Sequence, residues 1–188
     1  MMERLRLFIA VPLSREVEEA VAEIQATWKR KGTGVRWVRP EGIHITLKFL
    51  GGVPKDNVQG IVEAMKAVAK RHRPFSVMIK GAGGFPSTSR ARVLWIGVED
   101  RGGDLHNLFE ELEEALHGIG FPREDRSFKP HLTLGRVKDK RGKSFPFLQE
   151  FREREIGVLE VKEMVLFRSQ LKPQGAEYTP LAVVPLGG

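Results

Sequence analysis

The chain has 188 residues, no cysteine, and 31 Lys+Arg against 24 Asp+Glu, a formal charge of +7. At about 100–200 residues per domain this is one domain, or one built as two lobes, and 41% hydrophobic residues are enough to bury a core. The lack of cysteine excludes disulfides, thiolate nucleophiles, Cys-ligated zinc and iron–sulfur clusters, so any catalysis falls to His, hydroxyls, carboxylates or cations.

Along the chain, Leu5–Val11 is the first predicted strand. The apolar run Leu7 to Leu13 is far short of the ~20 residues of a membrane span. No small-residue cleavage site comes after it, so the expectation is a cytoplasmic protein with no membrane partner. Ser14 is a candidate N-cap for a first helix with Val17, Val21, Ile24 and Trp28 on one face. A second helix is expected through Val58, Ile61, Val62, Met65 and Val68. A third carries Leu105, Leu108, Phe109, Leu112 and Leu116 and stops near Gly118. Further strands are expected at Ile43–Phe49, Phe75–Lys80, Arg92–Val98, His131–Val137, Val158–Phe167 and Leu181–Val184. Paired strands without intervening helices argue for an α+β fold with antiparallel pairing and against a doubly wound parallel sheet.

No linker composition divides the chain, so residues 1–188 are expected to form one folding unit. The glycine-rich Gly81-Ala-Gly-Gly-Phe-Pro86 lacks the Lys-Ser/Thr of a P-loop and is read as a turn. Charge is concentrated from Arg126 to Lys143, where seven cations face one acid, Asp139; this stretch is suited to an anion or polyanion.

A short motif occurs twice, 87 residues apart: His44-Ile-Thr46-Leu and His131-Leu-Thr133-Leu. On a strand, i and i+2 share a face, so each His neighbours its Thr while Ile45, Leu47, Leu132 and Leu134 turn to a core. One copy alone is ordinary surface alternation; two copies suggest a shared site. A pair of imidazoles suits phosphodiester cleavage. With an unperturbed pKa near 6.5, one can accept a proton while the other donates, and the hydroxyls can donate to the non-bridging phosphate oxygens. No carboxylate stands at ligand spacing from either histidine, so no metal is expected. No Asp is placed to orient a Ser or Thr nucleophile either. Lys48 is in phase with His44 and Thr46 and is expected either to reach the cleft or to stand as a solvated lysine on its rim, whereas strict alternation turns Arg136 away from His131 and Thr133.

These residues resemble the two-histidine phosphoesterases, in particular the RNA 2′,3′-cyclic phosphodiesterase/2′-5′ RNA ligase (LigT-type) family. The likeness runs through Arg6-Leu-Phe-Ile-Ala10, Trp37-Val-Arg-Pro-Glu-Gly-Ile-His-Ile-Thr-Leu-Lys-Phe-Leu-Gly51, Phe85-Pro86, Leu94-Trp95, Phe128-Lys-Pro-His-Leu-Thr-Leu-Gly-Arg136 and Ser169 to Tyr178. Gly135 departs from the family, whose members often carry Ala there. The resemblance implies a bilobal, pseudo-twofold α+β fold: two antiparallel sheets backed by helices face each other across a cleft, with one motif on each lobe. It further implies a monomer, without metal or cofactor, acting on RNA ends that carry a 2′,3′-cyclic phosphate, such as those of tRNA halves. The product would be a 2′-phosphate, and the reverse reaction would form a 2′-5′ linkage without ATP. His44 would be the proton donor and His131 the acceptor, with Thr46 and Thr133 beside them. Arg136 would bind substrate, which requires the His131 strand to end, twist or bulge at Gly135; Lys48, from its phase on the strand, and Lys129 are the other substrate-binding candidates. The alternatives are a non-catalytic RNA- or nucleotide-binding module and an enzyme acting on a small cyclic nucleotide.

Overall fold

The computed structural model describes residues 3–187. In chain order its elements are β1 (Arg4–Pro12), α1 (Arg15–Lys31), β2 (Val35–Trp37), β3 (His44–Pro54), α2 (Val58–Ala69), β4 (Phe75–Phe85) and β5 (Val93–Glu99), then α3 (Asp104–His117), β6 (His131–Val137), β7 (Glu155–Val161), β8 (Glu163–Lys172) and β9 (Gly175–Pro185). The strands form one antiparallel sheet in the order β7-β4-β5-β6-β3-β1-β8-β9, with β2 added alongside β6. Its halves, β7-β4-β5-β6 and β3-β1-β8-β9, meet through a single register pair, Ile45 with Leu132. The α+β class and the two-lobed arrangement therefore hold, with the two expected sheets joined into one and the two motif strands as the seam.

Helices α1 and α3 cross between the halves. Ser14 Oγ caps α1 by accepting from Val17 N, acids open the helix and Lys29 to Lys31 close it, as the helix dipole favours. Its face of Val17, Val21, Gln25 and Trp28 is buried against the β7 half, where the Trp28 ring meets Phe147 and Phe151 at 5.5 and 5.7 Å. Trp28 is completely enclosed, so Trp28→Ala would cost about 3–5 kcal/mol. Helix α3 comes after β5 in the chain but packs on α2, which covers β8 and β9 in the opposite half.

Three expectations change, and one strand is new. The apolar stretch Val158–Phe167 is not one strand: it breaks at Lys162, with β7 pairing to β4 in one half and β8 to β1 in the other. The glycine-rich segment from Gly81 is not a turn but the second part of β4. Gly81, at φ +83°, begins an irregularity, and a Cβ there would lie 2.8 Å from the Arg152 carbonyl oxygen, after which Gly83 to Phe85 pair with β5. The three-residue β2 has no periodicity long enough to read. Strand β9 starts six residues earlier than expected because its N-terminal part, polar and half-exposed, is held by the hairpin with β8.

Candidate active site

The pair Ile45–Leu132 fixes the geometry of the site. Both side chains are fully buried on the helix-backed face. Their antiparallel register sets His44 against Thr133 and Thr46 against His131 on the opposite, concave face. Direct partners across strands lie about 5 Å apart and diagonal ones about 7–8 Å, so the two imidazoles can address one phosphate. Each histidine also neighbours the other motif's hydroxyl.

Aromatic rings enclose His44. Phe8 stacks on it at 4.9 Å, Phe167 lies at 6.0 Å, and Tyr178 meets it edge-on at 5.4 Å. This burial pulls the His44 pKa from 6.5 down to about 4, against the raising effect of a hydrogen bond to the Gly42 backbone. The ring of His131 contacts Phe85 edge-on at 4.9 Å, and its Nδ1 lies 2.7 Å from the Lys129 carbonyl. That carbonyl can only accept, so Nδ1 carries the proton and Nε2 of the neutral ring is left as the acceptor. Burial also lowers the His131 pKa; the Lys129 carbonyl acts in the opposite direction, and the Arg136 charge lowers it further. In both motifs the histidine is thus oriented by the backbone two residues before it. Lys129 contributes its carbonyl here, while its side chain is exposed.

Two β-bulges set which way the side chains beyond each motif point. In β6 the register with β5 shifts between Thr133 and Gly135, which leaves Leu134 as the extra residue. Leu134 and Gly135 are then both buried, and Arg136 returns to the face of His131 and Thr133. A Cβ on Gly135 would lie 2.6 Å from Val35 Cγ1 and 2.9 Å from the Trp37 ring, so glycine allows β2 to sit this close. The same shift occurs in β3, where Ile9 pairs with Lys48 but Ala10 with Thr46, so that Leu47 is the extra residue. Lys48 therefore points away from His44. This corrects its expected place in the cleft: Lys48 is buried on the helix side, where Nζ lies 2.8 Å from Glu113 Oε1 and donates to the Pro122 carbonyl at 2.7 Å. Phe49 takes the cleft position equivalent to Arg136, with 68% of its surface exposed.

Among the described residues three polar or charged side chains are buried in the core, Gln25, Lys48 and Glu113, and each serves one of these bulges. The Gln25 amide on α1 donates to the carbonyls of Val38 and Leu134, the latter in the β6 bulge. Glu113 on α3 holds Lys48 at the β3 bulge and accepts from Glu124 N in the segment leading to β6. Each helix thus braces the histidine strand of the half it packs on, although the chain enters it from the other half. Sequence reasoning missed Phe49 and Gln25; the matched spacing His-x-Thr-x-x-Phe and His-x-Thr-x-x-Arg is the signal that could have found Phe49.

Of the basic stretch, Arg141 is engaged with Asp139, and Lys143 donates to the Thr33 carbonyl at 3.2 Å beside the Phe145 ring. These two cations hold local structure. Among the described residues no group of three His, Asp or Glu side chains is placed to hold a metal ion, and no helix is long and apolar enough to cross a membrane.

The family model described as LigT-like phosphoesterase matches the chain twice, over residues 11–95 and 96–178, each match containing one His-x-Thr strand. A protein of Methanothermobacter thermautotrophicus named RNA 2′,3′-cyclic phosphodiesterase is 36% identical over 97% of this chain and all of its own length. One of Archaeoglobus fulgidus with the same name is 37% identical over 95% and 99%. A crystal structure from Thermus thermophilus superposes with a TM-score of 0.83 at 32% identity, covering 97% of this chain and 98% of that one. E. coli LigT complexed with 3′-AMP gives 0.76 at 25% identity, over 99% and 100%.

Proposed function

Because the chain belongs to the LigT-like phosphoesterase family, we propose that it opens the 2′,3′-cyclic phosphate at an RNA end to a 2′-phosphate, with His44 and His131 moving the protons. The observation that carries this reading is the register at the seam, which aligns two imidazoles and two hydroxyls on one concave face. Water attacks phosphorus as the P–O3′ bond breaks. His131 Nε2 takes the proton from water, and protonated His44 delivers one to the departing O3′. Thr46 and Thr133 donate to the non-bridging oxygens, and Arg136 offsets the charge that gathers there. The cyclic phosphate brings a negative charge into a desolvated site, which favours the imidazolium form that His44 needs. Phe49 and the rings behind it offer a face on which the terminal base can stack. With an RNA 5′-hydroxyl in place of water, the same bond exchange forms a 2′-5′ linkage, and the broken ring bond supplies the driving force without ATP.

The test is incubation with an oligoribonucleotide ending in a 2′,3′-cyclic phosphate, in chelator, with identification of the product. A 2′-phosphate is expected, and His44→Ala and His131→Ala should each lower turnover by about 10²–10⁴-fold with the fold intact. A 3′-phosphate would overturn the departure of O3′, and a single mutant near the wild-type rate would refute the shared site.

A further inference from the structure

Strand β2 pairs with β6 in a register that sets Arg36 directly opposite Arg136. Direct antiparallel partners project to the same face, and two observations identify that face as the cleft. Val35 and Trp37, on either side of Arg36, press on the missing Cβ of Gly135 in the core. The β6 bulge has already returned Arg136 to the side of His131 and Thr133. Both arginines are exposed, and among the described residues neither guanidinium is paired with a carboxylate. Like charges directly opposite on a sheet oppose the pairing that brings them together, so a ligand that relieves them must be an anion.

The position along β6 says which anion. Strands β3 and β2 occupy the same edge of β6 in succession, β3 at Leu132 and β2 from Gly135 to Val137. The floor of the cleft thus runs from the histidine pair to the arginine pair. With the bulge absorbing one residue, Arg136 stands about 7 Å beyond Thr133, the length of two strand residues. Arg136 is close enough to His131 to influence it electrostatically, and Arg36 lies one strand further out.

We propose that Arg36 and Arg136 together form a second phosphate subsite, which holds the phosphodiester linking the terminal nucleotide to the one before it. Arg136 bridges the reacting phosphate and this one; Arg36 is a specificity residue that makes the enzyme prefer an RNA chain to a mononucleotide. A pair of planar forks suits the two non-bridging oxygens of a diester, each of which can accept from a guanidinium. The subsite rests on the phosphodiesterase reading of the histidine pair.

The test compares kcat/KM on a nucleoside 2′,3′-cyclic phosphate, which has no upstream phosphate, with that on an oligoribonucleotide ending in the same group. Arg36→Ala is expected to lose about tenfold more on the oligonucleotide than on the nucleoside, and to flatten the salt dependence of oligonucleotide binding by about one unit of log–log slope. Arg36→Lys should keep the salt slope, because the charge remains, while losing part of the affinity with the fork. Equal losses on the two substrates, or no loss on the oligonucleotide, would overturn the subsite. Wild-type protein that opens neither substrate would instead overturn the phosphodiesterase reading and this inference with it.

Discussion

Lys48 Nζ lies 2.8 Å from Glu113 Oε1, with more than nine-tenths of both side chains buried, and the pair joins the strand carrying His44 to a helix contributed by the other repeat. The same carboxylate accepts from Glu124 N, seven residues before His131. One buried ion pair therefore ties both motif strands to a common point.

Removing one partner leaves an uncompensated buried charge. Lys48→Met is expected to destabilise the fold by about 3–5 kcal/mol, and adding Glu113→Gln should recover part of that loss. Denaturant unfolding of the two single variants and the double variant checks this. A single-variant effect below the range of ordinary surface substitutions would mean that the pair is solvated.

Gln25 plays the corresponding part at the other bulge. Gln25→Met leaves the Val38 carbonyl unsatisfied and withdraws one of the donors to Leu134, at a cost of about 1–3 kcal/mol. Loss of the brace should also let Arg136 drift from the cleft face. Activity is then expected to fall in Gln25→Met but to fall little further when Arg136→Ala is added, since both act through one position. Full additivity in the double variant would separate Gln25 from Arg136.

The pH dependence has a definite sign. Proton acceptance needs a neutral imidazole and proton donation a protonated one, so kcat/KM is bell-shaped and peaks between the two free-enzyme pKa values. Burial holds His44 at about 4 and lowers His131 as well. The maximum of kcat/KM should therefore lie on the acid side of 6.5. Bound phosphate favours the charged form, so the kcat maximum should lie at higher pH than the kcat/KM maximum. Parallel pH profiles measure both, and a kcat/KM optimum above neutrality would contradict the burial of His44.

Phe49 is an exposed ring one pleat beyond Thr46, and its centroid lies 6.1 Å from that of Phe8. Stacking of a base on an aromatic side chain is worth about 1–3 kcal/mol, so Phe49→Ala should raise KM on a nucleoside cyclic phosphate by about tenfold or more. Phe49→Trp should retain affinity, and stability should change little in either variant because the ring is exposed. An unchanged KM in Phe49→Ala would place the base elsewhere.

The candidate chemistry is legible in the chain alone. Two His-x-Thr copies, alternation that buries Ile45, Leu47, Leu132 and Leu134, and three amphipathic helices can all be read there, because strand and helix periods are local properties of the chain. Which of the neighbouring residues share a face with the two motifs is decided only by the fold. Alternation places Lys48 in the cleft and Arg136 outside it. The structure reverses both, because a bulge adds one residue to each motif strand and inverts the phase beyond it. Local periodicity does not mark those bulges. They are held by Gln25 and Glu113 from helices 109 and 65 residues away in sequence, across a chain crossing that only the folded sheet brings about. The pairing of Arg36 with Arg136 is of the same kind: a three-residue strand has no readable period, and its meaning comes entirely from the strand edge it joins.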